Sequence, residues 1–156
     1  MLGIGALSSY VNKHISAICP NHYDSNGFNH CAHFVAHALG IMVGVTCYGI
    51  VGGQKGASGS LRVDEIFSRG CTTVGEWGMK PSGLTQGLIF ITNNINVSIK
   101  AKSMKSVPTK HVGIFVGGNV WHYSNSHHKV VSVPVTQMMR HFPSPKDNSL
   151  FYGTLR

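Results

Sequence analysis

The amino-acid sequence predicts an α+β domain in which short helices come first and an antiparallel β-sheet follows. In the first 40 residues, apolar side chains recur at helical spacing. From residue 87 onward, short runs rich in β-branched and aromatic residues alternate with turn residues, which is typical of strands. Helices and strands that are segregated along the chain favour an α+β fold. A chain of 156 residues is long enough for one core, so we expect a single domain over residues 1–156.

Two helices are predicted before residue 41. Apolar residues between positions 4 and 18 follow near-helical spacing, and Pro20 ends this first helix. A second helix begins at Cys31, with Asn29 suited to cap its start and Gly40 suited to cap its end. The apolar stripe of this helix includes Cys31, so we expect the thiol to pack into the core.

The rest of the chain is predicted to form connections and then strands. The apolar segment 41–47 fits either an extension of the second helix or a strand. Five glycines between positions 49 and 60 predict a loop, and residues 61–69 predict a short helix. The sequence Gly117-Gly118-Asn119 predicts a hairpin. The predicted strands cover 88–91, 96–101, 111–116, 120–124, 129–133 and 150–155, with a brief helix over 135–142.

The chain is strongly basic, with 13 Lys+Arg against 5 Asp+Glu and a formal net charge of +8. Such a charge favours polyanions: nucleic acid, an anionic membrane, or the anionic polymers of a bacterial cell wall. The basic residues are scattered and form no arginine-rich arm, so we expect no nucleic-acid partner. No apolar run reaches transmembrane length. The N-terminal residues lack the basic region and cleavage site of a secretory signal, so we expect any work outside the cytoplasm to need another route of delivery.

Four cysteines and three helix histidines are the disulfide and metal candidates of this sequence. The four cysteines are Cys19, Cys31, Cys47 and Cys71. They contain no Cys-x-x-Cys pair, so neither a zinc ribbon nor a redox motif is predicted, and with Cys31 free one disulfide among the other three stays open. His30, His33 and His37 fall at i, i+3 and i+7 and could share one helix face. Because no acidic ligand lies nearby in sequence, we expect a polar helix face and no metal or cofactor.

A nucleophile and a base are predicted from the second helix and two strands. Unpaired N–H groups and the dipole at a helix start favour thiolate, so we expect the pKa of Cys31 to lie below about 8.5. Strand alternation places His111 and Gly113 on one face, and the hairpin brings His122 beside them. Cys31 would be the nucleophile and His111 the base. The orienting third member would be His122, with Asn125 as the alternative; an ordinary buried cysteine is the competing interpretation.

These segments resemble the NlpC-type cell-wall peptidases. The run from Phe28 to Val35 is similar to the family's Gly-Phe-Asp-Cys-Ser-Gly-Leu-Val-like motif, although Ala32-His33 replaces Ser-Gly. The run from His111 to Gly118, followed by Val120-Trp-His-Tyr-Ser, is similar to His-Val-Gly-Ile-Tyr-x-Gly and then Ile-His-Ala-Ser. The strand at Gly87 resembles the family's Gly-Asp-Leu-Val, with Leu88 where an aspartate is usual.

The resemblance implies a papain-like fold in which the catalytic cysteine begins a helix packed on an antiparallel sheet. It makes Cys31 the nucleophile, His111 the base and His122 the third polar residue. The Cys31 backbone N–H would bind the oxyanion, together with Tyr23 in the place of the family's tyrosine before the cysteine. The Cys-x-His-Phe-Val step also resembles the lecithin retinol acyltransferase family, whose histidine precedes its cysteine; the cysteine-first order here fits the peptidases better.

The function that the resemblance implies is hydrolysis of an amide bond in peptidoglycan by a cysteine peptidase or amidase. A small, basic member of this family that lacks a secretory signal is similar to the antibacterial effectors that bacteria inject by type VI secretion. That implies action in the periplasm of a target bacterium, no cofactor, a monomer, and peptidoglycan and a cognate immunity protein as partners. The cleaved bond stays open between D-glutamyl–diaminopimelate and the D-alanyl crosslink. Lipid acyl transfer or hydrolysis, or a non-enzymatic wall-binding module, are the alternatives.

Overall fold

A six-stranded antiparallel sheet forms the centre of the computed structural model, which describes residues 3–51, 57–138 and 148–155. Its strands are ordered β1-β8-β2-β5-β6-β7, and β3 pairs with β4 in a separate two-stranded sheet. The strands are β1 Thr73–Glu76, β2 Gln86–Asn93, β3 Val97–Ser98, β4 Ser103–Met104, β5 Lys110–Val116, β6 Asn119–Ser124, β7 Lys129–Pro134 and β8 Asn148–Thr154. The helices are α1 Ile4–Ser8, α2 Cys31–Leu39, α3 Cys47–Val51, α4 Val63–Glu65 and α5 Val135–Met138.

The α+β prediction is confirmed, and so are most of the predicted strands. The predicted hairpin is confirmed as well, because Val116 pairs with Asn119 across a two-residue turn in which Gly117 has a φ of +60°. The sequence did not predict β1 or β4, which are short. It also did not predict that β8, the last strand, lies between β1 and β2. The predicted brief helix over 135–142 is present over Val135–Met138, and residues 139–142 lie outside the described part of the chain.

The continuous helix predicted for residues 4–18 is wrong. The chain forms α1 and a separate single turn at Ile15–Ala17, because the segment between them pairs with β7. Val11 forms a bridge to Val130, and the N–H of Asn12 donates to the Val130 carbonyl at 2.9 Å. Asn12 has a φ of +70°, a left-handed conformation that ends a helix. Of the apolar residues at helical spacing, Leu7 and Ile15 are buried by tertiary packing, whereas Ile4 is exposed.

Residues 41–60 also differ from the prediction. Residues 41–45 belong to neither a helix nor a strand. Thr46 forms an isolated bridge with Ser60, and Cys47 begins α3. The first residues of the predicted glycine loop, 49–51, belong to helix α3, and residues 52–56 lie outside the described part of the chain. The helix predicted for 61–69 is confirmed as α4, which continues into a π-helical turn over Ile66–Gly70. None of the helices in the described ranges has the length and apolar character needed to cross a bilayer.

Helix α2 packs on one face of the sheet, and its ends match the prediction. Gly40 caps its C-terminus with a φ of +71°. The core on this face contains Phe34 from α2 and Val112 and Ile114 from β5. The opposite face of the sheet carries a smaller cluster with Phe115 and Val120, together with residues of β2, β8 and α5. Strand alternation therefore places His111 with Phe115, and His122 with Val120, on the second face.

Candidate active site

His111 and His122 form a buried hydrogen-bonded pair. His111 Nε2 lies 2.9 Å from His122 Nδ1, and the two rings meet edge to face with their centroids 4.9 Å apart. His111 is 4% exposed and His122 is 3% exposed. The predicted shared face of these two histidines is thus confirmed. Gly113, between them on the same face, leaves the room for this pair, since an added Cβ would lie 3.2 Å from the Cβ of His122.

The Cys31 thiol lies between the start of α2 and β5 and is 1% exposed. Burial raises its pKa to about 11, against the stabilising effects of the backbone N–H groups of Val112 and Ala32 and of the Lys110 charge. The predicted pKa below the ordinary value is therefore wrong for the structure, because desolvation outweighs the helix start. The thiol lies beside the backbone N–H of Val112, the residue that follows His111.

Two asparagine side chains accept hydrogen bonds from the backbone at the start of helix α2. Asn29 Oδ1 accepts the Cys31 N–H at 3.0 Å, although the N-cap position is held by His30 and not by Asn29 as predicted. Asn125 donates from Nδ2 to the same oxygen at 3.0 Å and accepts the His30 N–H at 2.9 Å. The structure thus places Asn125 against the helix start, and places His122 against His111. It also shows that the predicted oxyanion donor, the Cys31 N–H, already has a partner in this conformation.

Tyr23 packs with other aromatic rings beside α2. Its ring is stacked on Phe28 at a centroid distance of 4.6 Å and meets the His33 ring edge to face at 5.4 Å. Burial raises the pKa of the Tyr23 hydroxyl. No described hydrogen bond links that hydroxyl to the cysteine, and its predicted oxyanion role stays a prediction.

The thiol and the imidazole pair line different pockets. Cys31, Asn29 and Lys110 border a pocket of about 370 Å³, in which Lys110 also forms an ion pair with Asp64 at 3.4 Å. His111 and His122 border a pocket of about 300 Å³ on the β6–β7 side. A larger pocket of about 710 Å³ is lined from the end of α2, β2 and β8 and contains none of these residues. Size therefore does not identify the site, and the chemistry of the lining residues does.

A second cluster of chemically reactive side chains lies on the other side of α2. Cys19, His33, His37 and Cys47 place one ligand atom each within 4.8 Å of one another. All four cysteines of the chain are free thiols, so the disulfide left open by the sequence is not formed. Burial lowers the pKa of His33 to about 3, which keeps its ring neutral. The sequence shows His33 and His37 at i and i+4, with Cys19 and Cys47 on either side of them, and this is the only local signal for the cluster.

The structure supplies a thiol at the start of α2 and, on the other face of β5 and β6, two hydrogen-bonded imidazoles. A thiol and an imidazole that come into contact are suited to nucleophilic attack on a carbonyl, with proton transfer through histidine. The cluster at Cys19 supplies two sulfur and two nitrogen ligands and is suited to holding a metal. Comparisons with known proteins found no family model, no curated protein and no solved structure that matches this chain.

Proposed function

We propose that this protein is a papain-like cysteine amidase that hydrolyses an amide bond of peptidoglycan. The observation that carries the proposal is the buried hydrogen bond of 2.9 Å between His111 and His122. A second imidazole held against the first fixes its tautomer, which is the function of the orienting residue in nucleophile–base sites. His111 is on β5 and His122 on β6, and the thiol at the start of α2 packs against the other face of β5.

In the proposed reaction, Cys31 attacks the carbonyl carbon of the amide. Because the buried thiol is neutral, its proton leaves as the bond to carbon forms, and it goes to Nδ1 of His111 while Nε2 stays hydrogen-bonded to His122. The leaving amine takes that proton, and an acyl-enzyme remains. Water deprotonated by His111 then releases the carboxylic acid and restores the thiol.

Two movements are required before this chemistry can occur. The thiol must approach the imidazole, as catalytic hydrogen bonds often do only in the substrate complex. The oxyanion must displace Asn29 Oδ1 from the Cys31 N–H or find another donor. The first movement must bring the thiol past β5, because His111 lies on the face of the sheet opposite α2. The second requires only the loss of the hydrogen bond to Asn29, whose side chain is held by Asn125.

The choice of peptidoglycan as substrate depends on the resemblance to NlpC-type peptidases and on the charge of the chain. A formal charge of +8 favours association with an anionic wall polymer. Delivery to a target periplasm as a type VI effector, with a cognate immunity protein, belongs to the same proposal. The bond itself is left to experiment, since both the D-glutamyl–diaminopimelate bond and the D-alanyl crosslink are amides.

Digestion of purified sacculi tests the proposal. Wild-type protein and a Cys71→Ala control, which removes an equally buried thiol outside the site, should release the same fragments; Cys31→Ala should release none. Mass spectrometry of the fragments then names the bond. If the wild type releases nothing beyond Cys31→Ala, the proposal is wrong. Fatty acid released from liposomes with sacculi intact would favour lipid chemistry, and salt-sensitive binding without turnover would favour a binding module.

A further inference from the structure

We propose that Cys19, His33, His37 and Cys47 form a structural zinc site that ties helix α2 to the segments before and after it. Their four ligand atoms lie within 4.8 Å of one another. Around a tetrahedral zinc, with Zn–S of about 2.3 Å and Zn–N of about 2.0 Å, neighbouring ligand atoms are separated by roughly 3.3 to 3.8 Å. The observed cluster reaches that geometry with shifts of about 1 Å or less.

The hydrogen bonds around His33 direct a lone pair into the cluster. The Ser25 carbonyl can only accept, so His30 donates to it from Nε2 at 2.7 Å. In its neutral form His30 then accepts at Nδ1 from His33 Nδ1–H, at 3.1 Å. That leaves Nε2 of His33 without a proton. His33 is 0% exposed, and within the described residues its Nε2 has no hydrogen-bond partner.

A buried nitrogen lone pair without a partner is costly, and a metal ion supplies the missing interaction. The carbonyl–His30–His33 chain is the kind of outer support that fixes the tautomer of a metal-binding histidine. His37 follows His33 by four residues, so both rings project from one side of α2, and His37 Nε2 already lies 3.4 Å from Cys47 Sγ.

The two sulfur atoms are surrounded by N–H donors. The backbone N–H of Gly59 and the side-chain amide of Asn21 donate to Cys47 Sγ at 3.3 and 3.4 Å, and the Asn21 backbone N–H donates to Cys19 Sγ at 3.4 Å. Such donors stabilise thiolates that bind a metal. Two thiolates and two neutral imidazoles cancel the double charge of zinc, which suits a site with buried Cys19, His33 and Cys47.

The donor set and its closure indicate zinc in a structural role. Two cysteines and two histidines form a complete tetrahedral set typical of structural zinc, with no position left for water or substrate. The ligands come from the segment after the first helical turns, from α2 and from the start of α3. One ion would therefore join three short segments that have few regular hydrogen bonds between them. This inference does not depend on the proposed amidase activity.

Metal analysis of the reduced wild-type protein, purified without chelator, tests the inference. Inductively coupled plasma mass spectrometry should find about one zinc per chain, and Cys71→Ser, whose thiol lies outside the cluster, should keep it. His33→Ala and Cys47→Ser should lose most of the zinc, whereas His33→Cys should keep it because a thiolate can replace the imidazole. Chelation of the wild type should lower its unfolding temperature, and added zinc should restore it.

A second measurement needs no variant that might misfold. Wild-type protein freed of metal and loaded with Co²⁺ should show the visible absorption of tetrahedral cobalt with sulfur ligands. Three results would each overturn the inference: no zinc in the purified protein and none taken up, an octahedral cobalt spectrum, or an intact mass lower by two hydrogens with a Cys19–Cys47 disulfide in the peptide map. None of these readouts involves sacculi, so they are separate from the test of the amidase.

Discussion

The protonation state of Cys31 decides how the proposed nucleophile works. Its thiol is buried among apolar residues of α2 and β5, and desolvation raises its pKa to about 11. The positive helix start and the Lys110 charge act in the other direction but do not cancel that effect. The resting protein therefore holds a neutral thiol near pH 7, and the base must remove its proton during the attack.

We expect slow and strongly pH-dependent alkylation of Cys31. At pH 7 only about one thiol in ten thousand would be ionised, since the pKa of about 11 lies four units higher. The rate with iodoacetamide, followed at the Cys31 peptide by mass spectrometry, should rise about tenfold per pH unit between pH 7 and 10. A small free thiol, measured in parallel, should level off near pH 8.5. A Cys31 rate that levels below pH 8 and falls in His111→Ala would instead show a resting ion pair.

The contributions of His111 and His122 to turnover should differ. His111→Ala removes the base, and release of fragments from sacculi should fall by about 10² to 10⁴. His122→Ala leaves the base but loses the group that orients it, so the loss should be smaller, and His122→Asn should recover part of it by restoring an acceptor. Asn125→Ala should lose less than His111→Ala, because the hydrogen bonds of Asn125 go to Asn29 and His30 at the helix start. A loss in Asn125→Ala as large as in His111→Ala would make Asn125 the orienting residue.

At the scale of elements, helix α2 presents the Cys31 thiol on one side and two ligands of the proposed zinc site, His33 and His37, on another. An α-helix turns about 100° per residue, so His33 and His37 project about 200° and 240° away from Cys31. The thiol consequently faces the sheet, and the two histidines face the segments that contribute Cys19 and Cys47. A change that tilts α2 would disturb both sites.

The close approach of β5 and β6 at Gly113 holds the histidine pair in place. An added Cβ at Gly113 would lie 2.6 Å from Val120 Cγ1 and 3.1 Å from the Trp121 carbonyl oxygen, as well as against His122. We expect Gly113→Ala to lower the free energy of unfolding by about 1–3 kcal/mol and to reduce turnover. Gly118→Ala, where a Cβ meets nothing within 4 Å, is the matched control and should be nearly neutral. Urea titration of both variants measures the free energy of unfolding. Equal values for the two variants would show that the close approach of β5 and β6 at Gly113 does not exclude a side chain.

At the scale of the whole molecule, the net charge of +8 should control how the protein finds its substrate. Charge attraction weakens as the Debye length falls from about 10 Å at 0.1 M salt to about 3 Å at 1 M. Turnover of sacculi should therefore fall with added salt, whereas turnover of a small soluble fragment without wall polymer should change little. The ratio of the two rates against salt concentration measures the effect. Equal salt dependence for both substrates would mean that the charge does not act through the polymer.

Local patterns predicted much of the fold and part of the site. The period of α2 and its end at Gly40, the alternation in β5, and the turn at Gly117 each depend on residues close together in sequence, so the sequence alone determined them. The pairing of His111 with His122 followed from that alternation and a two-residue turn, and the structure confirms it.

Contacts between distant positions were decided only by the tertiary structure. The bridge from Val11 to Val130 broke a predicted helix, and β8 was placed between β1 and β2. Packing on β5 buried Cys31 and raised a pKa that the helix start alone would lower. Cys19 and Cys47, 28 positions apart, met His33 only through the fold. A local period carries no information about which remote segment will desolvate or contact a side chain, and for that physical reason the cluster and the state of the thiol required the structure.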